Sequence, residues 1–278
     1  ASMLSVNTNT GAMVALQYLD QTNASLMKTQ SAINSGLKVA SAKDDGATFA
    51  IAQNMRGDVA GYAAVTDSLN RGTSSVDVAL SAGQSISDLL IEMKQKALAA
   101  SDSSLDTASR SALNEDFTAL RDQIASVVSN AVFNGFNLID GSNSGGISVL
   151  ASSDGSKKIT VAGQDMSLGG SIVSIGASDT ISTVSTAAAM VDTVESSLTA
   201  VNSALAQLGS GSKKLSIQAT FVQNLSDTLK TGIGNLVDAD MATESAMLQS
   251  LQVKQQLGVQ ALSIANQSPQ IALSLFQG

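Results

Sequence analysis

The chain has 278 residues and could hold one to three domains, 44% of its residues are hydrophobic, and its formal net charge is −8. With no His, Cys or Trp, histidine general bases, thiol nucleophiles, Cys/His zinc sites and disulfide frameworks are excluded. The acidic balance, without a Lys/Arg cluster, argues against nucleic acid as a partner, and no apolar run of membrane-spanning length argues against membrane insertion.

A first heptad seam runs Ala12, Leu16, Leu19, Asn23, Leu26, Gln30, Ile33, Leu37 and predicts a helix. The stretch SAKDDGATFAIAQNMRG, residues 41–57, then raises a choice between a ligand site and a helix start. Acids just before an apolar run meet free N–H groups and a favourable dipole, so Asp44 and Asp45 are expected to cap the next helix, with Gly46 and Ala47 slimming its first turn. A second seam follows from Val59 to Ala97, a helix about 60 Å long at about 1.5 Å per residue. A third runs Leu113, Phe117, Leu120, Ile124, Val127, Ala131.

The helical period stops between Asp140 and Thr186, where eight of the 22 glycines fall. There ISVLA and KKITVA flank Asp154-Gly155, with SIVSI after them, which predicts a small antiparallel β element. The heptad returns from Val194 to Leu236 and passes through GSGSK without a change of phase, so that stretch is expected to be helical. A last helix carries Leu248, Leu251, Gln255, Gly258, Leu262 and Ala265, with the single proline, Pro269, near its end. The fold class expected is mainly α: long antiparallel coiled-coil helices from both chain ends with a small antiparallel β insert.

Catalytic patterns are weak. Ser-x-x-Lys occurs at Ser25/Lys28, Ser35/Lys38 and Ser210/Lys213, a coincidence to be expected in a serine-rich chain. Gly232-x-Gly234 lacks the preceding strand and third glycine of a dinucleotide loop. Asp238, Asp240 and Glu244 lack the glycine and terminal Glu of a calcium loop and are read as a helix start. The expectation is a protein that is not an enzyme and takes no cofactor or metal.

The chain ends are unusual. Residues 1–42 carry only Asp20, Lys28 and Lys38 as charges, and residues 245–278 only Lys254, whereas a soluble surface helix normally has a charged face. The last helix is apolar off its seam as well, at Met247, Val253, Leu257, Val259 and Ile264. Ordering these ends costs on the order of 100 kcal/mol, more than a lone helix pair can recover, so they are expected to stay loose in the monomer and to fold against other copies. The expected self-association residues are Leu16, Leu19, Leu26, Ile33, Leu37, Leu248, Leu251, Leu257 and Leu262. The expected joint is Lys43, Asp44, Asp45, Asp238, Asp240 and Glu244, with Lys43 pairing one of the last three acids because they lie at similar distances from the two chain ends.

The segments LSVNTNTGA, INSGLKVASAKDDGATFAIA, VFNGFNLIDG and NLVDADMATESAMLQSLQVKQQLGVQALSIANQSPQIALSLF, together with the low-charge ends, resemble bacterial flagellin over nearly the whole chain. The resemblance implies a filament subunit of the flagellum: residues 1–43 and 237–278 as the inner tube, 44–140 and 187–236 as the coiled-coil core, and 141–186 as a small surface-exposed insert. It further implies an extracellular filament reached without a cleaved signal peptide, and as partners other copies of itself, the flagellar export apparatus and chaperone, and the filament cap and hook-junction proteins. A hook–filament junction protein and a coiled-coil signalling module are the alternative readings.

Overall fold

A computed structural model describes residues 6–278, so Leu4 and Ser5 of the first motif lie outside the described residues. Five helices form where the heptads predict them: α1 (Thr10–Ser35), α2 (Gly46–Ala100), α3 (Thr107–Asn130), α4 (Val184–Val237) and α5 (Met241–Leu275). The GSGSK stretch lies inside α4, as expected. Two hairpins interrupt the helices, β1 (Val132–Phe133) with β2 (Phe136–Asn137) and β3 (Ile147–Leu150) with β4 (Lys158–Val161). The first is the local outcome of Asn134-Gly135, both at positive φ, the pairing that a two-residue hairpin turn demands.

The chain divides into two units, one running to Arg56 and resuming at Leu229–Gly278, the other Gly57–Thr228. The second unit holds the main core. Every three or four residues α2 buries an apolar side chain, among them Leu69, Val76, Ile86, Leu90, Met93 and Ala97, against Phe117 and Ile124 of α3 and Val201, Leu208 and Leu215 of α4. This is the sustained a/d pattern of a coiled-coil seam. Ser87 donates to Asn202 at 3.1 Å and Lys94 meets Glu195 at 3.0 Å, which fixes α2 and α4 antiparallel. At the α2–α3 turn Arg110 donates to the carbonyls of Ala100, Asp102 and Leu105, satisfying groups the helix end leaves free.

Two features differ from the sequence reading. SIVSI is not a strand: the Ser174 amide donates to Ser197 Oγ of α4 at 3.1 Å instead of to a neighbouring strand, while Val173 and Ile175 are fully buried. The β1–β2 hairpin also falls before the expected 141–186 insert, whose Val149, Val161, Met166 and Ile181 pack into the same core as α2, α3 and α4.

Glycines on α2 and α4 make this docking, and the close α2–α4 approach, possible. A Cβ on Gly72 would lie 2.5 Å from Val149 Cγ1, one on Gly83 2.5 Å from Leu205 Cδ2, and one on Gly211 2.6 Å from Val161 Cγ1. Gly57, by contrast, has nothing within 4 Å of the position a Cβ would take. Gly72→Ala therefore forces the stiff Val149 out of place and should destabilise the unit by about 1–3 kcal/mol, outweighing its helix-propensity gain. Gly57→Ala should stabilise it by up to about 1 kcal/mol. Thermal unfolding of the two variants checks the opposite signs.

Candidate assembly surface and joint

In the terminal unit α1 and α5 lie antiparallel. Gln255 Nε2 donates to Asn23 Oδ1 at 2.8 Å, and Gly258, lacking a Cβ, lets Leu19 approach α5. The pair buries little: Leu26, Thr29 and Ala32 on α1 and Leu251 alone on α5. Of the residues expected to join copies, Leu19, Leu26, Ile33, Leu248, Leu251 and Leu262 are buried or half-buried, whereas Leu16 and Leu257 are exposed. Leu37 is half-buried in a second, small core with Val39, Ala52, Val237, Phe49, Ile233 and Leu236.

The outer faces carry the larger apolar area. Met13, Val14, Tyr18 and Met27 are exposed on α1, and Met247, Val253, Val259, Ile264 and Ile271 on α5. Exposed large hydrophobics occur singly on most surfaces, but a row of them along two paired helices marks an interaction face. The sequence signal for this face was the shortage of charge, which singles out the outer positions better than the heptad does.

Asn9, which no motif flagged, ties the pair together at its far end. Its Oδ1 accepts from the Ala12 amide at 3.0 Å and caps α1, while its Nδ2 donates to the Ala265 carbonyl at 2.6 Å. That carbonyl needs a donor because its helical partner four residues on is Pro269, which has no N–H. Helix α5 therefore continues through Pro269 to Leu275.

At the opposite end of the pair, the segment between α1 and α2 runs beside the one between α4 and α5. Leu37 and Asp238 form an antiparallel bridge, Lys38 and Val39 donate to the Val237 carbonyl, and Ala239 donates to that of Gly36. Gly36 adopts φ 72° to end α1. The capping expectation divides between the two acids. Asp45 caps α2, accepting from the Thr48 amide and hydroxyl. Asp44 instead accepts from the amides of Ala40 and Ser41 and closes the turn before the helix. Asp240 caps α5 through Ala242 and Thr243. The side-chain hydrogen bonds from Thr48 and Thr243 hold the Asp45 and Asp240 carboxyls below the ordinary value of 3.8, so both caps are ionised at neutral pH.

The expected Lys43 pairing does not form. The ion pairs among the described residues are Lys94–Glu195, Lys96–Asp116 and Arg121–Asp122. The Asp240 carboxylate is occupied by its cap, and Asp238 is held by the bridge with its carboxylate over Gly234. Among the described residues no group of three or more acidic or metal-ligating side chains could hold a metal ion, and no helix is long and apolar enough to cross a membrane.

The Asn9 geometry sets up a double-mutant cycle. Asn9→Asp keeps the cap but loses the donor, which should cost about 1–3 kcal/mol through the orphaned Ala265 carbonyl. In a Pro269→Ala background the restored N–H satisfies that carbonyl, so the same change should cost much less. Thermal unfolding of the terminal helices followed by far-UV circular dichroism measures the coupling.

Two family models match the chain: the bacterial flagellin N-terminal helical region over residues 6–144 and the bacterial flagellin C-terminal helical region over residues 191–276. The chain is 52% identical over 273 residues to flagellin FljM of Caulobacter vibrioides, covering 98% of each protein. It is 38% identical over 285 residues to a flagellin of Brucella melitensis, covering 99% of this chain and 100% of that one. Among solved structures, a protein described as flagellar hook-associated, from Vibrio parahaemolyticus, aligns with a TM-score of 0.60 at 14% identity, over 70% of this chain and 100% of that one, a likeness of fold alone.

Proposed function

Since the chain belongs to the bacterial flagellin family and is a structural subunit of the extracellular flagellar filament, we propose that it joins the filament through the outer faces of α1 and α5. One observation carries this reading: the terminal pair buries four side chains of its own while Met13, Val14, Tyr18, Val253, Leu257 and Ile264 remain outside. Packing copies side by side removes that area from water at about 25 cal/mol per Å². Residues 1–43 and 237–278 then act as the inner-tube element and 44–140 with 187–236 as the coiled-coil core of the subunit. The joint between the first pair of segments is a backbone clamp, in which Gly36, Leu37, Lys38 and Val39 meet Val237, Asp238 and Ala239, with the caps Asp45 and Asp240 beside it.

On this reading the partners are other copies of the chain, the export apparatus and a chaperone during secretion, and the cap and hook-junction proteins at the filament's ends. The junction-protein alternative is not favoured, because the curated flagellins match over nearly their whole length.

Two substitutions on α5 separate folding of the pair from assembly of copies. Leu251 is 8% exposed and Val253 is 54% exposed. Leu251→Asp places a charge in the intramolecular seam and should cost about 3–5 kcal/mol, unravelling the pair. Val253→Asp should leave the pair as helical as wild type yet block polymerisation. Sedimentation of filaments beside far-UV circular dichroism of the monomer distinguishes these outcomes, and normal polymerisation of Val253→Asp would refute the assignment of the outer face.

A further inference from the structure

The terminal pair is almost uncharged, and its few charges are unpaired. Helix α1 carries only Asp20 and Lys28, and α5 only Glu244 and Lys254, and none of the ion pairs among the described residues includes any of them. A charge enclosed in an apolar interface without a partner is strongly unfavourable, so on an assembly surface these four require complements. Glu244 sits in the first turn of α5, where the helix dipole favours a carboxylate. Lys254 has no such local reason.

We propose that α1 of one copy docks, in the same orientation, along the groove on the α1/α5 pair of the next copy, with Asp20 against Lys254 and Lys28 against Glu244. This rests on the reading that copies assemble through the terminal pair, and it adds what sets their register.

Three observations support it. The first is order. Along α5 the signs run minus at Glu244 and plus at Lys254; α1 is antiparallel, so in the same direction it runs plus at Lys28 and minus at Asp20.

The second is spacing. The α5 charges are ten residues apart and the α1 charges eight, about 15 Å and about 12 Å of helix, and each pair falls within about 80° around its own helix. Within one copy these charges are out of step. The Asn23–Gln255 bond sets Lys28 level with Ser250, six residues from Glu244, and Asp20 level with Gly258, four residues from Lys254. Both offsets have the same direction. A second copy displaced along the axis by about five residues, about 8 Å, corrects both together.

The third is the groove. A hollow of about 430 Å³ lined by Tyr18, Leu251, Lys254, Leu257 and Gly258 leaves the Lys254 ammonium at its wall as a donor for an incoming carboxylate. A larger one of about 900 Å³, where the pair meets the joint, is lined by Met247, by Glu244, Asp44 and Asp45, and by the same copy's Lys28 and Lys38, a net negative wall for an incoming lysine.

Charge order also selects the symmetry. A copy turned end for end would set Asp20 against Glu244 and Lys28 against Lys254, placing like charges together. Only the same orientation satisfies both contacts, and a repeated head-to-tail contact of this kind builds rings or open helices instead of closed dimers.

The test uses full-length Asp20→Lys, Lys254→Glu and the double exchange in a polymerisation assay read by sedimentation, with thermal unfolding of residues 57–228 as the folding control. Each single variant should raise the critical concentration about tenfold or more, and the double exchange should restore it. Mixing the two single variants in equal amounts should also restore assembly. Each variant's altered position faces a complementary one on the other, so alternating copies satisfy every contact. Unimpaired single variants would overturn the proposal. So would failure of both rescues, or rescue by the double exchange without rescue by the mixture, which would place the pairs inside one chain. Any of these results alongside a Val253→Asp variant that still blocks assembly would remove the register and leave the assembly surface intact. Normal assembly of Val253→Asp would instead remove the surface itself.

Discussion

The structure depends on an imbalance in hydrophobic burial. Helices α1 and α5 expose more apolar side chain than they bury against each other, and neither carries the charged face that would keep such a pair solvated. Ordering long helices costs conformational entropy that four buried side chains offset only marginally. The terminal pair is therefore a half-built interface, and further copies supply the rest. That one deficit accounts for the low charge at both ends of the chain, the Ser, Thr, Asn and Gln that replace it, and the dependence of the ends on assembly.

The unit from Gly57 to Thr228 is built on the opposite principle. Its heptads are filled by their own partners, its glycines are placed where the insert must come close, and its charges pair on the surface as Lys94–Glu195 and Lys96–Asp116. Such exposed pairs contribute little stability; the packed seam carries it. A subunit of this kind can remain folded during the period in which its ends await a neighbour.

Much of this was legible in the sequence, for identifiable reasons. Helices α1 to α5 follow from apolar periodicity, a signal that local spacing alone carries, and the β3–β4 hairpin from alternation around Asp154-Gly155. Contacts that depend on where a distant segment arrives were not legible. SIVSI has the composition of a strand, yet its backbone donor goes to Ser197 on a helix. Asn9 looks like an ordinary cap, and its second role exists only because Pro269 leaves a carbonyl free on the antiparallel helix. Lys43 and three acids lie at similar distances from the two chain ends, but two of the acids are already held by a cap and a backbone bridge. For the assembly surface, the heptad pointed to the seam, while charge depletion pointed to the outside.

The central claim is that the terminal pair acquires its stability from neighbouring copies. Amide hydrogen exchange on the full-length chain, in dilute monomer and in filaments, tests it most directly. The account predicts exchange through α1 and α5 faster than through the α2 seam in the monomer, strong protection of the same amides in the filament, and protection of the α2 seam in both. Equal protection of α1, α5 and the α2 seam in a verified monomer would contradict it.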